Sequence, residues 1–327
     1  MTILGGDIGG TKTHLALFPE GNFREKLFQK KYASHDHKDL LSIIRDFLSS
    51  SPLKGEAPHK AGFGVAGPVI DGKCKATNLP WIIDAQQIAT EFSIPHIALL
   101  NDLEANAYGI PQLHEDEIFI LNEGHAETGN RALISAGTGL GEAGIIWDGT
   151  RHIPFACEGG HADFAPRDEL EMELLRYLKE KYDHTSYERV ISGPGIYNIY
   201  RFLADMRLEE EDPEIRRTFT VKDPPHVITE LALEESDPLA ERAVNWFLSL
   251  YGAEAGNTAL KFLSINGLYL GGGLAPLLLP LLEKSNFMAS FINKGRFSTL
   301  LQNIPVRVIL NSECTLMGAG SYIANKS

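Results

Sequence analysis

Three glycine-rich segments, each beside an apolar run typical of a buried strand, constrain the fold of this chain most strongly. They are GGDIGGTKT (residues 5–13), SAGTGLGEAG (135–144) and YLGGGLAP (269–276). Strand-like sequence continues after the first two segments, whereas helix-like sequence follows the third. Glycine lets the backbone of a turn approach a neighbouring group closely. Two strand–glycine–strand turns and one strand–glycine–helix turn therefore indicate an α/β fold with a mixed sheet.

The spacing of apolar residues predicts the remaining elements. The predicted strands cover residues 2–6, 14–18, 23–32, 61–66, 95–100, 117–121, 131–136, 143–147, 151–155, 267–270 and 306–310. The predicted helices cover residues 39–48, 85–92, 103–108, 169–182, 194–206, about 238–260, a segment from 277, and 314–324. Asp84 is a predicted N-cap, the Asp-Gly pair at 148–149 predicts a hairpin, and the charged segment 207–217 is predicted to be a solvated loop.

The length of 327 residues predicts two domains, because single cores rarely grow beyond ~250–300 residues. A second region begins near residue 110, and the helix at 314–324 is predicted to pack back on the first region. The sequence therefore predicts a small domain of residues 1–109 plus 312–327 and a large domain of residues 110–311. The two glycine turns between strands also indicate two related halves.

The net charge of −13 argues against a nucleic-acid partner, which needs a basic face, and against docking on an anionic membrane. The most apolar stretch, 268–282, is too short to span a membrane and is broken by glycine and proline. The N-terminal sequence lacks the basic region of a signal peptide. Cys74, Cys157 and Cys314 have neither metal-ligand nor disulfide spacing, which predicts reduced thiols in a cytoplasmic protein.

The first glycine segment resembles a P-loop, but Thr11 separates Gly10 from Lys12, and a strand-like run follows where a P-loop needs a helix. The pattern predicts a hairpin phosphate loop in which the amides of Gly9, Gly10 and Thr11 face phosphate oxygens. Asp7 is a candidate Mg²⁺ ligand, directly or through water. The alternative is a plain turn that joins two strands.

The second segment contains GLGEAG, which matches the dinucleotide fingerprint G-x-G-x-x-G. A strand-like run follows it instead of the helix that a dinucleotide fold needs, so a second hairpin phosphate loop is the better interpretation. Thr138 offers a hydroxyl there. The third segment lies between a strand and a helix, which suits a nucleotide packed against a helix N-terminus.

Asn101 and Asp102 follow a buried strand and precede a short helix. Asp102 can be read as a helix N-cap or as a carboxylate that accepts a proton from a substrate hydroxyl, and the two roles are compatible. Phosphate loops on both sides of this carboxylate indicate transfer of a phosphoryl group to a hydroxyl. Asn101 suits a hydrogen bond to a polyol.

Glu158 and His161 flank two glycines in a turn that suits the hydroxyls of a sugar. Metal binding is the alternative, and it is weaker because no further Cys or His cluster completes a coordination shell. Glu188 follows Thr185 with the spacing of a capping box, and on the residues alone that structural role is favoured.

A set of motifs with matching order and spacing then resembles the bacterial glucokinase family, the hexokinase-like group of the actin/hexokinase/Hsp70 ATPase superfamily. The motifs are GGDIGGTKTHLAL, GVAGPV, TNLPW, LLNDLEANAYG, SAGTGLGEAG, EGGHADFAPRDELE, ERVISGPGIYNIYR, LGGGLAP, KGRF and MGAG. The resemblance runs over nearly the whole chain. It implies an actin-like ATPase (ribonuclease H-like) fold of two α/β domains with an active-site cleft between them.

The resemblance also implies ATP-dependent phosphorylation of D-glucose at its 6-hydroxyl with Mg²⁺, in a homodimer. It assigns Asp102 as the general base. It assigns glucose contacts to Asn78, Asn101, Asp102, Glu158, His161 and Glu188. It assigns ATP contacts to Asp7, Gly9, Gly10, Thr11, Gly137, Thr138, Gly139, Gly271, Gly272 and Gly273.

Two departures from related families and two rival functions accompany this prediction. The repressor-type sugar kinases often carry a cysteine-rich zinc motif after their Glu-x-Gly-His segment, and HADFAPRDELE stands there instead, which predicts no structural zinc. Lys12 stands where some family members have another polar residue. The rival functions are a kinase for mannose, fructose or an N-acetylhexosamine, and a non-catalytic actin-like ATPase or sugar sensor.

Overall fold

The computed structural model describes residues 1–53 and 56–326. The chain divides into two compact units, one of Met1–Glu117 with Asn311–Ser327 and one of Ile118–Leu310.

The described part of the chain alternates between strands and helices. The strands are β1 (Thr2–Ile8), β2 (Lys12–Pro19), β3 (Phe28–Ala33), β4 (Lys60–Val65), β5 (Val69–Ile70), β6 (Lys73–Lys75), β7 (Ile82–Asp84), β8 (His96–Asn101), β9 (Ile118–Asn122), β10 (Arg131–Ala136), β11 (Leu140–Trp147), β12 (His152–Cys157), β13 (Leu268–Gly271) and β14 (Val306–Ile309). The α-helices are α1 (Leu40–Ser50), α2 (Ala85–Phe92), α3 (Asp102–Gly109), α4 (Glu169–Lys179), α5 (Gly193–Asp205), α6 (Pro213–Thr218), α7 (Pro224–Leu233), α8 (Pro238–Phe262), α9 (Leu274–Leu277), α10 (Leu279–Leu282), α11 (Phe287–Ile292), α12 (Ser298–Asn303) and α13 (Cys314–Ala324). Short 3₁₀ helices cover Ser34–Asp36, Ile110–Gln112, Glu115–Glu117, Gly159–His161, Tyr187–Arg189 and Gly295–Phe297.

The first unit is built on a sheet with the strand order β3-β2-β1-β4-β8. The strands β1, β4 and β8 are parallel, and their register aligns Ile8 with Val65 and Val65 with Asn101. These three strands therefore end level with one another. The turn that follows β1 and the residues that follow β8 are brought to the same edge of the sheet.

The last helix of the chain, α13, completes the core of the first unit. It packs on α3, where an added Cβ at Gly318 would lie 1.8 Å from the carbonyl oxygen of Ala105. It also packs on β4, where a Cβ at Gly62 would lie 2.1 Å from the carbonyl oxygen of Ala319. No side chain fits at either glycine, so the backbones of α13 and its neighbours are in direct contact.

The sheet of the second unit has the order β12-β11-β10-β13-β14-β9. Its first five strands repeat the pattern of the first unit, with two antiparallel pairs followed by two parallel pairs. The prediction of two related halves is confirmed by this repeated strand order. The long helix α8 is buried over most of its length against this sheet and the neighbouring helices.

Two local predictions are confirmed by hydrogen bonds. The side chain of Asp84 accepts hydrogen bonds from the amides of Gln86 and Gln87, so it caps α2 as predicted. The Asp-Gly hairpin joins β11 to β12: Oδ1 of Asp148 accepts from the amide of Thr150 at 2.8 Å, and Gly149 has a φ of +101°.

Three predicted elements have different limits. The strand predicted at 23–32 begins only at Phe28, because Asn22 Oδ1 accepts from the amide of Arg24 and closes a turn. The loop predicted at 207–217 contains the start of α6, which Asp212 caps. The helix predicted from 277 is split into α9 and α10, with a proline in the first turn of α10.

Three strands and three helices were not predicted, namely β5, β6, β7, α7, α11 and α12. The three strands form a small separate sheet and are two or three residues long. Such lengths are too short for a period of two to be recognised. Two of the helices, α11 and α12, are six residues long, which is equally short for a helical period.

Candidate active site

The first glycine segment forms a tight hairpin between β1 and β2. The amide of Gly9 donates to the carbonyl of Lys12 at 2.9 Å, so this amide is committed to the turn itself. Ser34 holds the turn from the side: its hydroxyl donates to the carbonyl of Gly9 at 2.8 Å, and its amide donates to the carbonyl of Thr11 at 3.0 Å. The turn is thus fixed at both ends. Lys12 is exposed.

Asp7 and Asp102 interact at the carboxyl edge of the first sheet. Burial and the negative charge of Asp102 together raise the pKa of Asp7 to about 7. The parallel register explains their proximity, since Asp7 lies one residue before the end of β1 and Asp102 directly follows β8. Two carboxyl groups whose charges repel suit a divalent cation, which would offset both charges.

Asn101 and Asp102 share the N-terminus of α3. Asn101 is the N-cap, and its Oδ1 accepts from the amide of Leu103 at 2.9 Å. Oδ1 of Asp102 also accepts from Leu103 at 2.9 Å, although Asp102 is the first residue of the helix. The N-cap of α3 is therefore Asn101, and the interpretation of Asp102 as the N-cap is wrong. The Asn101 amide donates to the carbonyl of Gly67 at 3.3 Å, which fixes its orientation.

Asn78 lies against the first glycine turn. A Cβ added at Gly10 would lie 2.7 Å from the Cβ of Asn78. Only glycine at position 10 leaves room for this contact. The first unit therefore groups Gly10 with Asn78 and, separately, Asp7 with Asp102 at the same edge of its sheet.

In the second unit, Glu188 binds the second glycine turn. Its Oε2 accepts from the amide of Leu140 at 3.0 Å, and a Cβ at Gly139 would lie 2.5 Å from the same oxygen. Glu188 lies in the 3₁₀ helix Tyr187–Arg189, and its carboxylate reaches Leu140 instead of returning to a cap at Thr185. The capping-box interpretation of Glu188 is wrong, because the spacing of that motif matched a turn that is not the start of an α-helix.

Glu158 and His161 are carried by a turn that is seated on β11. The amide of His161 donates to the carbonyl of Glu158 at 3.1 Å, which closes the 3₁₀ helix Gly159–His161. A Cβ at Gly160 would lie 2.0 Å from the carbonyl oxygen of Leu140. Leu140 thus contacts both the turn of Glu158 and His161 and the side chain of Glu188. The structure brings these three predicted sugar residues to one end of β11.

The metal interpretation of this turn receives no support. Within residues 1–53 and 56–326, no group of three or more His, Cys, Asp or Glu side chains is arranged to hold a metal ion.

The second and third glycine segments meet at a cavity of about 620 Å³. The amide of Gly193, at the start of α5, donates to the carbonyl of Gly137 at 2.8 Å. Gly272 has a φ of +77°, and a Cβ there would lie 2.3 Å from the carbonyl oxygen of Ala136. The cavity is lined by Gly137, Thr138, Gly193, Pro194, Asp223, Pro225, His226, Thr229, Gly273, Leu274 and Leu277.

Four residues of this lining belong to α7 or precede it, and none of them was predicted from the sequence. Asp223 comes directly before α7, and Pro225, His226 and Thr229 lie in the helix. An aspartate before two prolines is a recognised signal of a helix start, and it could have located α7. It could not have shown that α7 borders a cavity with the glycine turns.

Comparison with known proteins identifies the family. The family model described as Glucokinase matches residues 4–326. A glucokinase from Nostoc sp. (strain PCC 7120 / SAG 25.82 / UTEX 2576) is 45% identical over 97% of this chain and 97% of its own length. The chain belongs to the glucokinase family.

Solved structures agree with this family on the fold. The crystal structure of a glucokinase from an Antarctic psychrotroph is 28% identical, covers 99% of both chains and superposes with a TM-score of 0.84. A repressor-type (ROK) family glucokinase from Streptomyces griseus, crystallised with glucose and AMPPNP, shares the fold at a TM-score of 0.66 and 22% identity over 99% of both chains. The predicted α/β fold of the actin-like ATPase class is therefore confirmed for this glucokinase family member.

Two further features of the molecule bear on the early predictions. Among the described residues, no helix is both long and apolar enough to cross a membrane. Cys74, Cys157 and Cys314 are all free thiols. Burial is the main cause that raises the pKa of the Cys157 thiol, and the nearby charge of Glu158 raises it further, so the thiol stays protonated.

Proposed function

We propose that this glucokinase transfers the γ-phosphoryl group of ATP to the 6-hydroxyl of D-glucose, with Asp102 as the general base. The observation that supports this proposal best is the pairing of Asp7 with Asp102 beside the first glycine turn. Burial and the charge of Asp102 raise the pKa of Asp7, which places a second carboxyl group beside the proposed base.

In the proposed reaction, a carboxylate oxygen of Asp102 takes the proton of the glucose 6-hydroxyl. At the same time the oxygen of that hydroxyl attacks the γ-phosphorus of ATP. The bond between the γ-phosphorus and the bridging oxygen of ADP breaks in line with the attack. The products are glucose 6-phosphate, ADP and a protonated Asp102, which returns the proton to solvent. The hydrogen bond from the amide of Leu103 holds the carboxylate in place throughout.

The sugar is proposed to be held by the side chains of Asn78, Asn101, Glu158, His161 and Glu188. Asn101 and Glu188 are fixed by hydrogen bonds to Gly67 and Leu140, which reduces the entropy lost when the sugar binds. A site built to hydrogen-bond a hydroxyl can reject an analogue that lacks it by ~10⁴–10⁵-fold. The proposal includes a preference for D-glucose over its hexose epimers.

The nucleotide is proposed to occupy the 620 Å³ cavity of the second unit. Its phosphates are proposed to meet the turns Gly9–Thr11 and Gly137–Gly139, and its adenosine the segment Gly271–Gly273. Asp7 is proposed to hold Mg²⁺, directly or through water, which would neutralise phosphate charge when bound. We also propose that the protein is a homodimer.

A coupled assay of ADP release with ATP and Mg²⁺ tests the proposal. The panel is glucose, mannose, fructose, galactose, N-acetylglucosamine and no sugar, with Asp102→Asn as the inactive control and Asp116→Asn, at an exposed position, as the matched control. Turnover with glucose alone supports the proposal. Turnover with another hexose keeps the mechanism and changes the substrate, whereas ADP release that does not depend on sugar overturns it.

A further inference from the structure

A pair of buried carboxyl groups lies directly beneath the turn that carries Glu158 and His161. Glu142 projects from β11 and is 1% exposed, and Glu254 projects from α8 and is 0% exposed. Neither carboxylate oxygen of Glu142 receives a hydrogen bond from a donor group in residues 1–53 or 56–326. A buried ionised carboxylate without donors is strongly disfavoured.

The two carboxyl groups do not have equal partners. Both oxygens of Glu254 are occupied, one by Nζ of Lys261 at 2.6 Å and the other by Nδ2 of Asn257 at 2.7 Å. Nζ of Lys261 lies 3.9 Å from Oε2 of Glu142, beyond hydrogen-bond distance. Lys294, whose Nζ donates to Oδ1 of Asn257 at 2.6 Å, also faces Glu254. Glu254 therefore has the closer cationic partners, and Glu142 has only the distant Lys261.

The neighbourhood of Glu142 supports a proton on that residue. Burial and the charge of Glu254 raise the pKa of Glu142 to about 7, and Lys261 offsets only part of this effect. Two carboxylates cannot hydrogen-bond to each other, but a carboxylic acid donates to a neighbouring carboxylate. As an acid, Glu142 can donate its O–H toward Glu254, the charged side chain that affects it most.

Glu142 also contacts the turn that carries Glu158 and His161. A Cβ added at Gly159 would lie 2.2 Å from its Oε2, so the carboxyl group is packed against the backbone between Glu158 and Gly160. On the other strand of the hairpin, the thiol of Cys157 donates to the carbonyl of Glu142 at 3.4 Å. Any movement of the Glu142 side chain is therefore transmitted to the turn.

We propose that Glu142, as a neutral acid hydrogen-bonded to Glu254, is a positioning residue for the turn of Glu158 and His161, and that its ionisation weakens sugar binding. This inference rests on the proposed function. Loss of the proton places a second negative charge beside Glu254 and against the carbonyl-rich turn. The repulsion is relieved by displacing the Glu142 carboxyl, and the turn moves with it.

The groups that face Glu142 are few and can be separated by experiment. Glu254, Thr258 and Lys261 face it from α8, and Cys157 faces it from β12. Glu142→Gln keeps the shape of the acid and an N–H donor toward Glu254 but has no proton to lose. Glu173→Gln removes the same charge from an exposed position on α4 and is the matched control.

The experiment measures glucose affinity without nucleotide, by calorimetry, between pH 5.5 and 8.5. We expect the wild type and Glu173→Gln to lose affinity for glucose as the pH rises through about 7. The total loss should be roughly tenfold for each unit by which bound glucose raises the pKa of Glu142. We expect Glu142→Gln to lose less affinity than the wild type over this range, with the remaining pH dependence due to groups such as Asp7, whose pKa is also about 7. A pH dependence in Glu142→Gln equal to that of the wild type overturns the proposal.

Infrared difference spectra between pH 5.5 and 8.5 test the shared proton without any sugar. The carbonyl stretch of a buried carboxylic acid should vanish on raising the pH in the wild type and be reduced in Glu142→Gln, and an unchanged band in the variant contradicts the assignment. Failure of every variant to bind glucose overturns the proposed function instead, because the infrared result does not depend on a substrate.

Discussion

The backbone amide of Leu140 donates a hydrogen bond to Oε2 of Glu188, with 3.0 Å between the two atoms. Leu140 begins β11 directly after the second glycine turn. Its carbonyl oxygen lies against Gly160, in the turn that carries Glu158 and His161. One residue thus connects the proposed phosphate turn, the carboxylate of Glu188 and the segment of Glu158 and His161. If Glu188 binds the sugar as proposed, the amide of Leu140 couples that contact to the proposed phosphate turn.

This relationship predicts the effect of Glu188→Ala. The amide of Leu140 would lose its acceptor, and a half-buried amide left without a partner costs about 1–3 kcal/mol of stability. We expect a lower free energy of unfolding by denaturant together with a higher KM for glucose. Glu173→Ala on the exposed face of α4 should change neither. A raised KM with unchanged stability would mean that the hydrogen bond does not support the turn.

Asp102→Asn tests the proposed base. The amide keeps the size of the side chain and an oxygen that can accept from Leu103, so the fold and sugar binding should persist. Loss of a general base typically lowers the rate by ~10²–10⁴-fold. We expect kcat to fall by that amount while the Kd for glucose changes little, with Asp116→Asn at wild-type rates. Wild-type turnover by Asp102→Asn would eliminate the base mechanism.

Gly272→Ala tests the third glycine segment. Its φ of +77° is strained for alanine, and the new methyl group would lie 2.3 Å from the carbonyl of Ala136. Gly21 has a similar φ of +84° but open space around it, so Gly21→Ala carries the backbone strain without the collision. We expect both variants to lose stability and only Gly272→Ala to raise the KM for ATP. Equal KM values for ATP in the two variants would show that this segment does not contribute to nucleotide binding.

Acid stability should depend on the ion pair of Glu117 and Arg24. The hydrogen-bonded Arg24 guanidinium is the main cause that lowers the pKa of Glu117 from 4.5 to about 2. A lowered pKa in the folded state means that the stabilisation is present above pH 4.5 and is lost as the pH falls toward 2. We expect Glu117→Gln to unfold at a higher pH than the wild type in an acid titration followed by circular dichroism. Glu115→Gln, at an exposed position, is the control, and equal midpoints would contradict the prediction.

The sequence predicted the elements that carry strong periodicity or clear caps. Strand β1, helix α8 and the cap at Asp84 appear close to their predicted limits, because burial on one face or a local hydrogen bond dictates each of them. The capping box at Glu188 failed for a physical reason. A spacing of three residues is shared by helix starts and by 3₁₀ turns, and only a contact 48 residues away, at Leu140, decides the role of the carboxylate.

The candidate site was predictable where its residues follow strand ends, and less so elsewhere. Asp7 lies in β1 and Asp102 directly follows β8, and the parallel register of these strands with β4 brings both residues to one edge of the sheet. The pairing of Glu142 with Glu254 joins a strand to a helix more than a hundred residues away and has no local signal. The contribution of α7 to the cavity proposed for the nucleotide likewise has no local signal.

The packing of α13 on β4 and α3 has a consequence for how the protein is made. The ribosome synthesises this helix only after the whole of the second unit, Ile118–Leu310, although the sheet that it covers has been complete since β8. Domains generally fold as units while the chain is being synthesised. The second unit can therefore fold first, while the earlier strands wait with the apolar surface around Ala105 and Gly62 uncovered. Nascent chains that stop before residue 314 should be the forms that chaperones retain.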